Sequence, residues 1–412
     1  MGDILRYFGI GKETAFRTPA EAVFYADLAD GSLDSPKAPW VEVPSGLGRY
    51  ASRKAPVGYQ AVGNVNMPID LGMLYYFLWL MLGSKDTDDV GVVAKTETKT
   101  PGHGITVLNF TAANIPIVPG SLTVKILTVL QAADNGCGLI IPDGQNTEIG
   151  TINYATGAIH MEALTPETAY IFGYDSGQYV HTITQEASLV LPSATVRLGK
   201  DLFEHIFPGQ ALTKLTMKLD NKGLCSAQLA FSGGEDTKGT IVERADLLIP
   251  QGYPLAFHNA QFKLAEYGEV LEDISAKVYS LNLELDMGHD KAGGFALGSR
   301  FPQKEVAGEI KCSGDLELEF DSTDMKEAFW GGASGPGNVP KDMVGQVLFD
   351  SGDYGDAQID LFKLHIMQAG ITPKGRAKFN QAIAFDVQYN NEENPFLGVL
   401  VNSIFNYPPL PA

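Results

Sequence analysis

Leu215-Thr216-Met217-Lys218-Leu219, then Asp220-Asn221-Lys222-Gly223, then Cys225-Ser226-Ala227-Gln228-Leu229-Ala230-Phe231: this stretch decides the fold class. Apolar and polar residues alternate on both arms, the period of a strand with one buried and one wetted face. Asp220 to Gly223 are turn formers, so the whole reads as a long antiparallel hairpin. Tyr279 to Asp286 alternates in the same way, with Leu281, Leu283 and Leu285 on one side. So does Asp315 to Asp321, where Leu316, Leu318 and Phe320 share a side. A further hairpin is expected from Gln358 to Tyr389, its return strand marked by Ile383, Phe385, Val387 and Tyr389. Long, half-polar strands dominate, and the chain reads as mainly β.

Helices are few. Ile69 to Leu82 is the strongest, with Asp70 placed to cap its start and Gly83 to stop it. Its apolar residues run almost all the way round, so both faces are covered by the fold or one awaits a partner subunit. This helix belongs to a unit from Gln60 to Gly83: a strand from Val62 to Met67, a break at Pro68, the helix, then glycine. A second unit runs from Val306 to Gly332. There Ala307 to Cys312 echo the strand, and a helical stretch from Thr323 to Trp330 ends at Gly331-Gly332. The recurrence indicates a duplicated β-rich module.

From Ser84 to Thr100 the chain turns polar and loses its period, which reads as a linker. Hairpin-like pieces follow: Leu122 to Ile126, the turn at Asp134-Asn135-Gly136, and two short strands between Thr151 and Met161. They read as a small β module inserted in a larger one. The expected division is a first module of residues 1–94 and 173–238, an insert of residues 95–172, and a second module of residues 239–412. Residues 1–59 read as loops or an arm. The end, Tyr407-Pro408-Pro409-Leu410-Pro411-Ala412, is neither helix nor central strand.

Among 412 residues, 30 are basic and 49 acidic, for a net charge of −19. That balance excludes a protein that grips nucleic acid through its phosphates, since gripping needs cations. It leaves two readings: a surface that DNA passes without sticking, or charge that serves solubility alone. Cys137, Cys225 and Cys312 lie far apart, with neither disulfide nor zinc spacing. No secretory pattern opens the chain, and the longest apolar run, Leu71 to Leu82, is short of the ~18–20 residues that span a bilayer. The expectation is a soluble assembly in a reducing cytoplasm, with no membrane partner.

No catalytic constellation emerges. The histidines are scattered, and His205 and His289 read as core or loop residues. Gly9-Ile10-Gly11-Lys12 lacks the earlier glycine and the hydroxyl of a phosphate-binding loop. The acids of Asp350 to Asp356 depart from calcium-loop spacing. No metal, cofactor or enzymatic activity is expected. Glu317 and Glu319 are two apart on one strand, so they share a side and do not flank a substrate bond. The acidic strand faces carry more information. Glu284 and Asp286 share one face, and Asp315, Glu317, Glu319 and Asp321 share another. Stacked like charges repel along a strand. Either this is an outer face kept soluble, or it lines a water-filled lumen while the apolar faces pack on protein.

Several phrases resemble tail tube (major tail) proteins of long-tailed bacteriophages. They are Tyr179 to Ile183, Leu191 to Val196, Gly199 to Gly209, the hairpin ending Ala230-Phe231-Ser232-Gly233-Gly234, and the opening Gly11-Lys12-Glu13-Thr14-Ala15-Phe16-Arg17-Thr18-Pro19. The units at Gly63–Gly83 and Gly308–Gly332 are similar to the same family. In the insert, Gly150 to Ile159 resembles a phrase of β modules in phage structural proteins. The resemblance implies duplicated β-sandwich or half-barrel modules with short flanking helices, closing into rings that stack as a tube. It implies DNA and a tape measure protein in the lumen, tail terminator and distal tail proteins as neighbours, assembly in the host cytoplasm, and residence in the virion. Two modules per chain favour a trimer with quasi-sixfold symmetry, a hexamer being the alternative. Glu284, Asp286, Glu309, Glu317 and Glu319 are the expected lumen-facing acids, and the insert is expected on the exterior. Ring-stacking contacts are expected from 94–103, 331–342 and the two terminal arms. The competing reading is a distal tail or adhesive, carbohydrate-binding β protein with the insert as its binding module.

Overall fold

The computed structural model describes residues 6–28, 30–36, 40–43, 53–135, 138–145, 147–186, 190–250, 252–290, 294–339, 341–372, 380–389 and 397–403. In chain order the first part comprises β1 (Tyr7–Lys12), β2 (Phe24–Asp27), β3 (Asp30–Gly31), β4 (Trp40–Val43), β5 (Arg53–Pro56), β6 (Ala61–Pro68), α1 (Leu71–Leu82) and β7 (Gly83–Lys99). Then come β8 (Leu108–Thr111), β9 (Thr123–Ile126), β10 (Val129–Asp134), β11 (Leu139–Pro142), β12 (Gly150–Ile152) and β13 (Ala158–Met161). They are followed by β14 (Tyr170–Gln185), β15 (Ala194–Gly199), β16 (Glu204–Asp220), β17 (Ser226–Gly233) and β18 (Thr237–Gly239). The remainder holds β19 (Ala260–Glu266), β20 (Glu272–Asp273), β21 (Val278–Asp286), β22 (Lys311–Glu319), α2 (Asp324–Trp330), β23 (Asp342–Asp350), β24 (Gly355–Thr372), β25 (Asn380–Val387) and β26 (Leu397–Ser403). The protein is mainly β, and α1 and α2 are the two α-helices among the described residues.

The strand pairings repeat. β6 pairs with β17, and β17 with the second half of β16; β22 pairs with β25, and β25 with the second half of β24. The first half of β16 turns instead to β15 and β18, and the first half of β24 to β23 and β26. β15 continues to β1 and β2, as β23 continues to β19 and β20. A bulged strand bends and twists, and the bends fall at matching places. The register of β16 against β17 slips between Leu212 and Lys214, and that of β24 against β25 between Ile366 and Gln368. Each slip sits next to a phenylalanine that faces a glycine: Phe231 opposite Gly63, and Phe385 opposite Gly314. The second strand of the repeat is therefore Lys311–Glu319. The expectation that Ala307 to Cys312 echo β6 runs several residues early, because Gly314 is the partner of Gly63 and Gly308 is not.

The two repeats fuse through one ladder. The second half of β16 pairs with β21, from Lys214 opposite Asp286 to Asp220 opposite Ser280. One sheet thus runs β3-β6-β17-β16-β21-β22-β25-β24 across both repeats. Beneath it lie Leu215, Met217, Leu229, Leu283, Leu316, Ile383 and their neighbours, all buried. By area removed from water, each such side chain contributes about 1.5–3 kcal/mol toward folding.

All twelve residues of α1 are buried. The helix packs on β16 of its own repeat and is covered by β14, β7, β26 and β24, so its second face is closed within the chain. α2 buries Ala328 alone. Ser84 to Thr100 corrects the sequence reading: Ser84 to Lys99 belongs to β7, paired with β14 from Gly83 opposite Gln185 to Lys99 opposite Tyr170. None of the described residues of β7 is buried, so this strand needs no apolar period, whereas β14 buries Tyr170, Phe172, Tyr174 and Ile183 on one face. β14 also pairs with β26. The ribbon carries the chain across positions 94/95 and 172/173 into β8–β13, which pair among themselves and with β14. Cys137 and the stretch Tyr407 to Ala412 lie outside the described residues. No helix among the described residues is long and apolar enough to cross a membrane.

Candidate functional site

Opposed residues of an antiparallel ladder share a face, so the registers of the fused sheet assign its upper side. One row reads Asn66, Gln228, Thr216, Glu284, Ser313, Asp386. The next reads Ser226, Lys218, Asn282, Asp315, Ala384. Another reads Asn64, Ala230, Lys214, Asp286, Lys311. The face is mostly polar, with Ala230 and Ala384 as the apolar members of these rows. It is also hollow: Lys218, Asp220, Asn282, Asp315, Glu317 and Gln368 line an open depression that spans several strands. The depression opens on the polar side, at the joint between the two repeats.

The structure brings Glu284, Asp286, Glu317 and Glu319 onto this one face. Glu284 meets Lys214 at 2.6 Å. Asp286 accepts from the Gly288 amide at 2.8 Å. Glu317 accepts from Asn380 Nδ2 at 2.7 Å, and Glu319 from the Tyr279 hydroxyl at 3.3 Å. Glu309 precedes β22 and lies at its rim, 82% exposed and 3.7 Å from Lys311. Lys214, Lys218 and Lys311 are the residues that sequence reasoning missed. Their alternation with apolar neighbours was readable, but only the register sets them beside the acids. Lys214 faces Asp286, which faces Lys311. Opposite charges across strands relieve the repulsion between like charges along them.

The arrangement offers no chemistry beyond charge and hydrogen bonding. Cys312 belongs to the opposite, apolar side, where burial pushes its thiol up to about 12. His205 and His289 are buried and paired, the first with Asp236 at 2.6 Å and the second with Glu305. The first ties β16 to the loop at Asp236, and the second ties two loop segments together. In the insert Tyr154, Tyr170 and Phe172 are buried, and Phe110 packs on Phe172 with ring centroids 4.8 Å apart. No curated protein matches the chain. Residues 5–342 match the family model described as phage tail tube protein.

Proposed function

Because the chain belongs to the phage tail tube protein family, we propose that copies of it close into rings around the hollow polar face, and that the stacked rings conduct DNA during genome ejection. Membership of this family makes the protein a structural component of the virion that assembles with itself. The observation that carries the finer reading is the fused sheet: two repeats stand side by side, both turning polar residues to one side, where a depression opens at their joint.

Each repeat supplies a comparable half of that wall, so three chains do the work of six single modules. We therefore favour a trimer with quasi-sixfold symmetry. Glu284, Asp286, Glu317 and Glu319 line the channel in this reading, with Glu309 at its rim. Acids outnumber lysines on the face. A phosphate backbone meets repulsion there, interrupted by a few lysines of which Lys214 and Lys311 are paired with Glu284 and Glu309, too few cations to form a row that would hold it. The same lumen accommodates a tape measure protein before DNA. Tail terminator and distal tail proteins would bind the open ends of the tube, and assembly would take place in the host cytoplasm.

The division into a first module, residues 1–94 and 173–238, an insert, residues 95–172, and a second module, residues 239–412, is part of this proposal. The β7–β14 ribbon roots the insert on β26, a strand of the layer beneath the fused sheet. That supports an insert projecting from the exterior, clear of the channel. The buried aromatics of the insert leave no exposed ring platform for sugars, which disfavours the adhesive reading. Electron microscopy of the purified protein tests the proposal. Averaged end views with a central hole and three outer lobes are expected; six lobes would replace the trimer by a hexamer. Compact particles without a hole at every concentration would remove the tube reading.

A further inference from the structure

We propose that the segment following β26, at Pro409-Leu410-Pro411, lies along the outer edge of β20 in its own chain and roofs a cleft beside α2, as Leu248 to Pro250 lies along β2 beside α1. The inference stands apart from the tube reading and does not rest on it.

The two repeats correspond residue by residue. The register of β15 against β16 slips between Ala194 and Val196, and that of β23 against β24 between Met343 and Gly345. These slips equate Val196 with Gly345. Followed outward, the ladders then equate Phe8 with Phe262 and Tyr25 with Asp273. Counted from Gly63 and Gly314, Asp70 corresponds to Asp321. On the other flank Glu204 faces Gly239 and its counterpart Gln358 faces Leu400, so Gly239 corresponds to Leu400.

In the first repeat a strap leaves β18 and crosses to the helix. The Val242 amide donates to the Tyr7 hydroxyl at 2.9 Å, and the Leu248 carbonyl accepts from the Tyr25 amide at 2.7 Å. Pro250 is buried. Gly252 passes Asp70, the cap of α1. Leu255, 1% exposed, donates to the Ile69 carbonyl at 2.8 Å. The strap thus covers the space between β2 and the start of α1.

In the second repeat the corresponding space is a cleft of about 420 Å³. Its lining combines the apolar Ile274, Leu318 and Met325 with the acidic Glu272, Asp321 and Asp324. Val270, on the same lining, is 85% exposed. The edge beside the cleft is prepared for a strap. The Ile274 amide is spent inward on the Phe262 carbonyl at 3.0 Å, so the Asp273 amide faces the other way, as the Tyr25 amide does.

The spacing along the chain names the occupant. Leu248 lies nine residues past Gly239, and Pro409 lies nine past Leu400. Ile249-Pro250 then falls on Leu410-Pro411. Residues 404–412 have no charged side chain, so none adds a carboxylate to the acidic lining. Proline offers a carbonyl without an amide, and a carbonyl is what the Asp273 amide needs. A proline-rich segment is extended before it docks, so it loses little conformational freedom on docking.

The test uses the full chain in a Cys137→Ser background at high dilution. Asp273→Cys/Pro409→Cys, mildly oxidised, should lose both added thiols and run as a monomer on a non-reducing denaturing gel. Asp273→Cys/Asn406→Cys should keep its thiols, because three extended residues displace the second cysteine by about 10 Å, beyond disulfide reach. A second readout is alkylation of Met325→Cys, which lines the cleft. Leu410→Asp should speed it several-fold, since one more carboxylate is repelled by the acidic lining. An absent bond in the first pair, or an unchanged alkylation rate, would overturn the proposal. A bond formed only between chains would also overturn it and give the cleft to the segment of a second copy. Neither readout needs rings, so the proposal can fail while the tube reading stands. The tube reading fails separately, on end views without a central hole.

Discussion

Gly314 lies under the ring of Phe385, so close that a Cβ built on it would come within 2.8 Å of Phe385 Cε2 and 2.7 Å of the Asn282 carbonyl oxygen. Its counterpart Gly63 meets backbone at all three of its nearest atoms, the Leu33 nitrogen and the Ser32 oxygen both lying 2.5 Å from the built Cβ, whereas for Gly314 the Asn282 oxygen is the one backbone atom among the three. A phenyl ring can swing; a neighbouring strand cannot without breaking its ladder. Gly314→Ala should destabilise the chain by about 1–3 kcal/mol, the range for overpacking a core. Gly63→Ala should cost more and loosen the Gly31–Leu33 edge. Thermal or denaturant unfolding of the two variants ranks them, and the reverse order would refute the argument.

Asp70 caps α1 by accepting from the Met73 amide at 2.8 Å, yet it is buried, and burial raises its carboxyl from 3.8 to about 6. Between those values the folded chain keeps a proton that the unfolded chain has lost. Stability from this group therefore falls as pH rises through that window, by no more than about 3 kcal/mol. Asn caps a helix equally well and carries no charge. Asp70→Asn should stabilise the protein at pH 7 and flatten its stability between about pH 4 and 6, as urea titrations at each pH would reveal.

Lys214 and Glu284 join the two repeats at 2.6 Å, but each side chain is about one-third exposed. A pair so wetted is worth less than about 1 kcal/mol. Lys214→Gln should barely move the unfolding midpoint in low salt and not at all in high salt. A large loss would mean that the joint depends on charge more than on the Leu215, Met217, Leu283 and Leu285 packing beneath it.

Cys225 and Cys312 are buried, and burial pushes both thiols up to about 12. Thiolate is the reactive form. In a Cys137→Ser background, an alkylating reagent at neutral pH should label the folded protein hardly at all and label two sites on unfolding. Rapid labelling of the folded chain would contradict the packing of the apolar layer.

Most of the fold was legible because strand period and turn chemistry are local. The hairpin at Leu215–Phe231, the helix ended by Gly83 and the strand at Tyr279–Asp286 needed no partner to be recognised. Ser84 to Lys99 was not legible: none of the described residues of β7 is buried, so that strand makes no demand on side-chain polarity and carries no period. The repeat was visible but set early, since Gly308 and Gly314 look alike until pairing with Phe385 distinguishes them. The acids of the polar face could be named from alternation. The lysines among them could not, because Lys214 meets Glu284 only through a register between residues far apart in the chain.

The β16–β21 joint also bears on the kinetics of assembly. A joint made within one chain forms at a rate independent of concentration, whereas a joint between chains must wait for encounter. In the proposed ring of three chains every other seam is already sewn when the chain folds. Closure then requires the meeting of three bodies where unlinked modules would need six, and dilution can open only the seams between copies. The covalent link thus acts as a permanently high effective concentration for half of the contacts.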